Sequence, residues 1–321
     1  MPYTLADYAR LADSDLKRGV IDIFRRESFA MDVLQWEDSD TLSIQAIRTK
    51  DLPSVGFRRI NEAFSASKGT VEPIQERVFD MGAYVDVDKL LVKAKSIVDQ
   101  RALQTDMFTT ALAYNFNDYF INGQPTVDED GFTGLYYRIA NYVTAQVIAA
   151  GGLDVSPDSA TLAASFQTLL DHIQGLIHKL DGHKADALFC NSTFYLRLMS
   201  ALRQLGMYAT TKDTYNRSIV TYGEGGPKIY DIGCKGDQAT EIITDTEHNT
   251  TGALTGGGST SLYAVKTGEK YLMGFQLYGI DVDDIGKLES GIAYRTVIDW
   301  PVGLYHVHPR AFARLHGVIA A

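Results

Sequence analysis

The chain has 321 residues, 45% of them hydrophobic and 22% charged, which excludes a disordered tail and allows a full core in two lobes. A net charge of −10 excludes a free-standing nucleic-acid binder, which carries a basic surplus. The two cysteines, Cys190 and Cys234, exclude a disulfide framework and suit a reducing compartment.

The opening MPYTLADYARLADSDLKRGV lacks the basic, apolar, small-residue order of a signal peptide. No apolar run approaches the roughly 20 residues that cross a bilayer, so a soluble chain made inside the cell is expected. Residues 1 to 38 read as an arm in which charges cut Leu5, Tyr8, Leu11, Leu16, Ile21 and Phe24 into short apolar pieces. Such an arm either caps its own core as a helix or packs on a neighbouring subunit. Thr41–Thr49 alternates as a strand, ended by Asp51, Leu52 and Pro53. SVGFRRINEAFSASKGTVEP follows, and PIQERVFDMGAYV resumes a strand-like run to Val85. Two strands around such a stretch predict a long projecting hairpin. Phe57, Ile60 and Phe64 cannot be buried within it, so its own domain or another chain must cover them.

From Asp86 to Gly123, apolar residues recur three or four apart, among them Leu90, Leu91, Ala94, Ile97, Val98, Phe108, Leu112, Phe116 and Phe120. That spacing predicts one nearly continuous helix, about 50 Å long, lying against strands of the C-terminal third. Asp86 and Asp88 stand where a cap and a first-turn carboxylate belong, and Gly123 where a left-handed stop does. No heptad is sustained, so the helix is a spine across a domain rather than a coiled-coil strand.

Asp128, Glu129 and Asp130 before Gly131 suggest a calcium loop, but its twelfth position is Ile139, where a bidentate Glu is required. They read as an acidic turn. A helix is predicted over Ser159–Leu180, a buried strand over Ala187–Cys190, and a helix capped at Asn191–Thr193 and stopped by Gly206. Short strands follow at Ser218–Tyr222 and Lys228–Ile232. The glycine runs 223–226 and 256–258 lack phosphate-loop spacing. The remainder reads as strands at 261–267, 271–280, 292–300 and 303–309, with an acidic turn at Asp281–Gly286 and a last strand or turn after Arg310.

His306 and His308 share a strand face, as two metal ligands can, but no third ligand accompanies them, and they read as a surface pair at a strand end. His172 and His178 are six residues apart and do not share a helix face. There is no G-x-S-x-G, H-E-x-x-H or C-x-x-C, and Cys190 reads as a small core residue. No catalytic residue, cofactor or catalytic metal is assigned.

The pieces LPSVGFRRINEAFSASKGT, YVDVDKLLV, ALFCNSTFYLRLMSALR, KIYDIGCKGD, GFQLYGIDVDD and VGLYHVHPRAFARLHGV occur in that order over nearly the whole chain. Their order resembles the major capsid protein of tailed bacteriophages, the Hong Kong ninety-seven type of shell fold. The resemblance implies an α+β fold with an N-terminal arm at 1–40 and an extended hairpin loop with its flanking strands at 41–84. It also implies a peripheral domain with the spine helix at 85–150 and 265–300, and an axial α/β domain at 151–264 and 301–321. The expected function is structural: self-assembly as hexamers and pentamers into an icosahedral head around double-stranded DNA. Scaffolding and portal proteins, and in some shells decoration proteins, are the expected partners, with no membrane. The expected location is the virion, after assembly in the host cytoplasm. Net negative charge fits, because a wall poor in cations does not grip packaged DNA.

By the same resemblance Arg48–Ile74 lies over a neighbouring subunit. There Phe57, Ile60 and Phe64 supply the apolar contact, while Arg48, Arg58, Arg59 and Lys68 face Asp281, Asp283 and Asp284 or the spine's Asp86 and Asp88. Two departures stand out. The chain starts directly with the arm, so scaffolding would be a separate protein or absent. Lys50 and Lys68 could enter a lysine–asparagine crosslink, but neither the asparagine nor an assisting carboxylate is identifiable, and crosslinking is not expected. The alternatives are an encapsulin-type compartment shell and, from another class, an α/β enzyme with an unrecognised site.

Overall fold

The computed structural model describes residues 20, 23–24, 27–93, 100–159, 161–212, 217–247, 258–289 and 291–321. Most of the expected arm, the stretch of the spine containing Ala94, Ile97 and Val98, and most of the second glycine run lie outside them.

A short helix α1 (Phe29–Val33) leads into β1 (Trp36–Asp38), β2 (Ser43–Asp51), β3 (Thr70–Arg77) and β4 (Phe79–Asp88). Next come α2 (Lys89–Lys93), α3 (Gln100–Asn122), α4 (Leu135–Asn141), β5 (Val147–Asp154), α5 (Leu162–Lys179), β6 (Ala187–Cys190) and α6 (Ser192–Gln204). The rest is strand: β7 (Tyr208–Lys212), β8 (Ser218–Tyr222), β9 (Lys228–Asp231), β10 (Thr260–Val265), β11 (Leu272–Gln276), β12 (Asp281–Lys287), β13 (Ala293–His306) and β14 (Phe312–Ile319).

These strands make three sheets. β2 and β3 form an antiparallel hairpin of their own. Five strands run β1-β11-β13-β12, with β4 also paired to β13, and seven run β5-β14-β10-β6-β9-β8-β7. The helix α3 sits where the two larger sheets meet. Its Phe116 touches Trp300 and Trp36 of the five-stranded sheet at centroid distances of 5.2 and 6.0 Å. One turn on, Phe120 meets Phe189 of the seven-stranded sheet edge-on at 5.5 Å. Its role as a spine therefore follows from which rings its apolar stripe presents to each sheet. The other face of the seven-stranded sheet carries a second core, in which Phe166, Leu169, Ile173 and Leu176 of α5 and Phe194, Leu198 and Leu202 of α6 meet Leu188, Leu262 and Leu315. Asn191 caps α6 as expected, accepting from the Phe194 amide at 2.9 Å.

Four expectations are corrected. The spine does not start at Asp86: Val85 and Val87 alternate with Asp86 and Asp88, a period-2 pattern, and the stretch completes β4 in register with Ala293–Val302. Asp88 still caps, accepting from the Leu90 amide at 2.6 Å to open α2. Gly123 is not a left-handed stop; a Cβ there would strike the carbonyl oxygens of Phe132 and Tyr119, so close backbone approach demands the glycine. The acidic stretch Asp281–Gly286 is no turn but part of β12, with Val282 buried and a bulge at the positive-φ Gly286. Finally, 292–300 and 303–309 are not two strands. β13 runs unbroken through Pro301, because there its partner on one edge changes from β12 to β11 and the missing N–H interrupts no ladder.

Candidate assembly interface

The hairpin leaves the body at two chain crossings: Leu42, and Val78, whose amide donates to the Leu42 carbonyl at 3.0 Å. β2 and β3 then pair from Ser43–Arg77 out to Asp51–Thr70. Beyond them the tip, residues 52–69, is held, among the described residues, by local bonds. The Ser54 amide donates to Ser67 Oγ at 2.7 Å, and Arg58 donates to the Glu62 carbonyl at 3.1 Å while lying 5.3 Å from the centroid of the Phe64 ring. Phe57, Ile60 and Phe64 are 110%, 91% and 67% exposed, so none of the described residues covers them. Arg59 and Lys68 are exposed beside them.

Arg48 is the exception among the expected contact residues. It is buried in the outer half of the β2–β3 ladder, donating to Glu72 at 2.9 Å, and so is not free for a neighbour. The expected acidic counterparts are partly occupied as well. Asp284 accepts from Arg101 and Asp86 from Arg295, and each partner holds its carboxyl below the usual range. Asp283 is exposed and Asp281 half-buried on β12.

Between β4 and α3 runs a groove of about 470 Å³ whose floor includes Phe79, Met81, Phe108 and Phe132, with Asp80 and Asp130 among the residues lining it. It opens on the edge of β4 that has no strand beside it among the described residues.

The hairpin root holds residues that the sequence reading missed. Arg138 of α4 is fully buried and donates to the carbonyls of Thr133 and Leu304 at 2.9 and 2.8 Å, and to Glu76 of β3 at 2.7 Å. His306, expected at the surface, is 1% exposed at the end of β13. Its Nδ1 lies 2.9 Å from Arg138 and its Nε2 3.0 Å from Arg48. Burial, then the charges of Arg138 and Arg48, lower its pKa from 6.5 to about 2. Tyr142 stacks on His306, and burial followed by the Glu76 charge pushes its hydroxyl up. One signal for the cluster was present: Arg138 falls on the apolar stripe of Leu135 and Ile139, where a cation requires a buried partner.

The architecture is that of known shells. The family model of major capsid protein GP7 matches residues 13–164, from the arm through the hairpin and α3 into the start of α5. The capsid of a native GTA particle superposes with a TM-score of 0.60 at 13% identity, over 92% of this chain and 90% of that one. The chain has the fold of these shells over nearly its whole length, and the capsid family model matches a little under half of it. It shares that architecture also with the structure of Microbacterium phage Oxtober96, with a TM-score of 0.57 at 12% identity over 90% of each chain. The holo-SrpI encapsulin complex from Synechococcus elongatus gives 0.60 at 12% identity, over 91% of this chain and 88% of that one. Among curated proteins none matches by sequence. Among the described residues no three His, Cys, Asp or Glu side chains gather to hold a metal ion, and no helix is long and apolar enough to cross a membrane.

Proposed function

We propose that this chain is a major capsid protein that builds an icosahedral phage head as hexamers and pentamers around double-stranded DNA, assembling in the host cytoplasm with scaffolding and portal proteins, and that its role is structural rather than catalytic. Its working parts are the hairpin and the peripheral and axial domains, 85–150 with 265–300 and 151–264 with 301–321. The observation that carries this reading is the hairpin tip, which presents Phe57, Ile60 and Phe64 to solvent. Three large apolar side chains on one projecting loop mark a contact surface. The tip lies over the next copy, where the groove between β4 and α3 offers an apolar floor and Asp80 and Asp130 offer charges opposite to Arg58, Arg59 and Lys68. Asp283 and Asp281 on β12 extend that acidic surface. Exposed ion pairs contribute only about 0–1 kcal/mol each, so the aromatic residues supply most of the energy and the arginines set register.

Electron microscopy of the expressed protein tests this. Wild type is expected to form closed particles, and Arg58→Glu with Arg59→Glu a folded subunit that assembles poorly. Normal shells at normal yield from the double variant would remove the hairpin from the interface.

A further inference from the structure

We propose that Arg48, Glu76, Arg138 and His306 form a latch that fixes the angle at which the hairpin leaves the body, and that this angle sets the curvature of the shell. The second half rests on the reading of the hairpin as an inter-subunit element; the first half does not.

The backbone alone leaves the hairpin free to swing. It joins the body through Leu42 and Val78, and near that line Ile44 and Val78 pack on a small cluster of Met273, Phe275 and Tyr305. What resists swinging are two side-chain ties at different distances from the hinge. Glu76, on the rung shared with Ile44, reaches Arg138. Arg48 lies four residues further along β2, roughly 14 Å out at 3.4 Å per residue, and reaches His306 and the Tyr142 ring. Two ties spaced along a lever fix its angle, where a single tie would leave it a pivot. The body side is rigid by itself, because the carbonyls of Thr133 and Leu304 hold Arg138 without the hairpin.

The two ties are not equally secure. A guanidinium only donates, and a neutral imidazole accepts at one nitrogen while the other carries a proton. His306 faces Arg138 at one nitrogen and Arg48 at the other, so it accepts from one of them at a time. When Nδ1 accepts from Arg138, the distal tie keeps only the Tyr142 face, since Glu72, the other partner of Arg48, belongs to the hairpin itself. When Nε2 accepts from Arg48, Arg138 retains Glu76 and its two carbonyls. The inner tie therefore holds in both arrangements and the outer one in only one. Identical chains at hexamer and pentamer positions need more than one hairpin angle, and a latch with a fixed inner and a releasable outer tie provides two.

The test uses the full chain with Cys234→Ser, since Cys190 is buried. Spin labels at Ser65→Cys on the tip and Gln174→Cys on α5, both exposed, report the tip-to-body distance in unassembled subunits. The intact latch is expected to give a narrow distribution. Glu76→Gln should lose the narrow peak and Arg48→Met should broaden it less, with hydrogen exchange in α3 and the seven-stranded sheet unchanged. A distribution in Glu76→Gln as narrow as in the parent overturns the latch; should that variant fail to fold, an unbroadened Arg48→Met does so. In micrographs of the same variants, particles of altered or mixed diameter support the link to curvature. Parent-like diameters despite a broadened distribution overturn that link alone. Normal assembly of the Arg58→Glu, Arg59→Glu protein would instead overturn the inter-subunit reading and leave the spin-label result standing.

Discussion

His306 ties stability to pH. In the folded chain its pKa is lowered from 6.5 to about 2, by burial first and then by the charges of Arg138 and Arg48. Between those values the unfolded chain binds a proton that the folded chain refuses, so stability rises with pH in that window and is lost on acidification. The cost is about 1.4 kcal/mol per pH unit, or about 2 kcal/mol from pH 6.5 to 5. His306→Gln keeps an acceptor and a donor but cannot titrate, and its denaturant-unfolding free energy should fall correspondingly less over that range. Equal slopes in the two proteins would show that His306 is protonated in the fold. The burial of this residue was not legible in the sequence. Face arithmetic pairs His306 with His308 on one strand, but β13 ends at His306, and every residue of it from Trp300 to His306 is buried, on both faces. A strand covered on both sides has no solvent face for alternation to identify. The burial of Arg48 was hidden for a related reason: as one of several cations near a loop it resembled Arg58 and Arg59, and only the fold brings it against His306 and the Tyr142 ring.

At the scale of elements, periodicity decided what could be read. The helices α5 and α6, the strand β6 and the C-terminal end of α3 emerged with bounds close to the expected ones, because long stripes at helical spacing and a short apolar run between caps leave little ambiguity. Errors arose where composition outweighed period. Four acidic or glycine positions suggested a turn in Asp281–Gly286, yet Val282, buried between half-buried Asp281 and exposed Asp283, is the mark of an edge strand. The helix α3 also yields a test of its bridging role. Phe116 lies among Phe24, Trp36, Phe132 and Trp300, and Phe116→Ala should cost about 3–5 kcal/mol in chemical denaturation. A loss below 1 kcal/mol would mean that α3 is not the element that joins the sheets.

For the whole molecule, the tip and the fold are separable. Residues 52–69 contain no helix or strand, and the hydrogen bonds they make are local to the hairpin. Removing 54–70 and closing the strands with a short turn should leave the thermal midpoint of the subunit nearly unchanged while abolishing closed particles. A large fall in that midpoint would show that the tip serves the fold of its own chain. The hairpin, the C-terminal part of the spine and the helices and strands after it were visible in the sequence because each carries its own local pattern. The placement of β1, parallel to β11 and more than two hundred residues from it, has no such local pattern and appears only in the fold.

The exposed tip also has a consequence for temperature. In the assembly proposed above, the contacts of Phe57, Ile60 and Phe64 draw on apolar burial, whose driving force near room temperature is largely entropic and weakens on cooling. A shell with such seams is tightest when warm. Chilling loosens the joints between subunits before it disturbs the subunits themselves, whose hydrogen-bonded sheets do not share that dependence to the same degree.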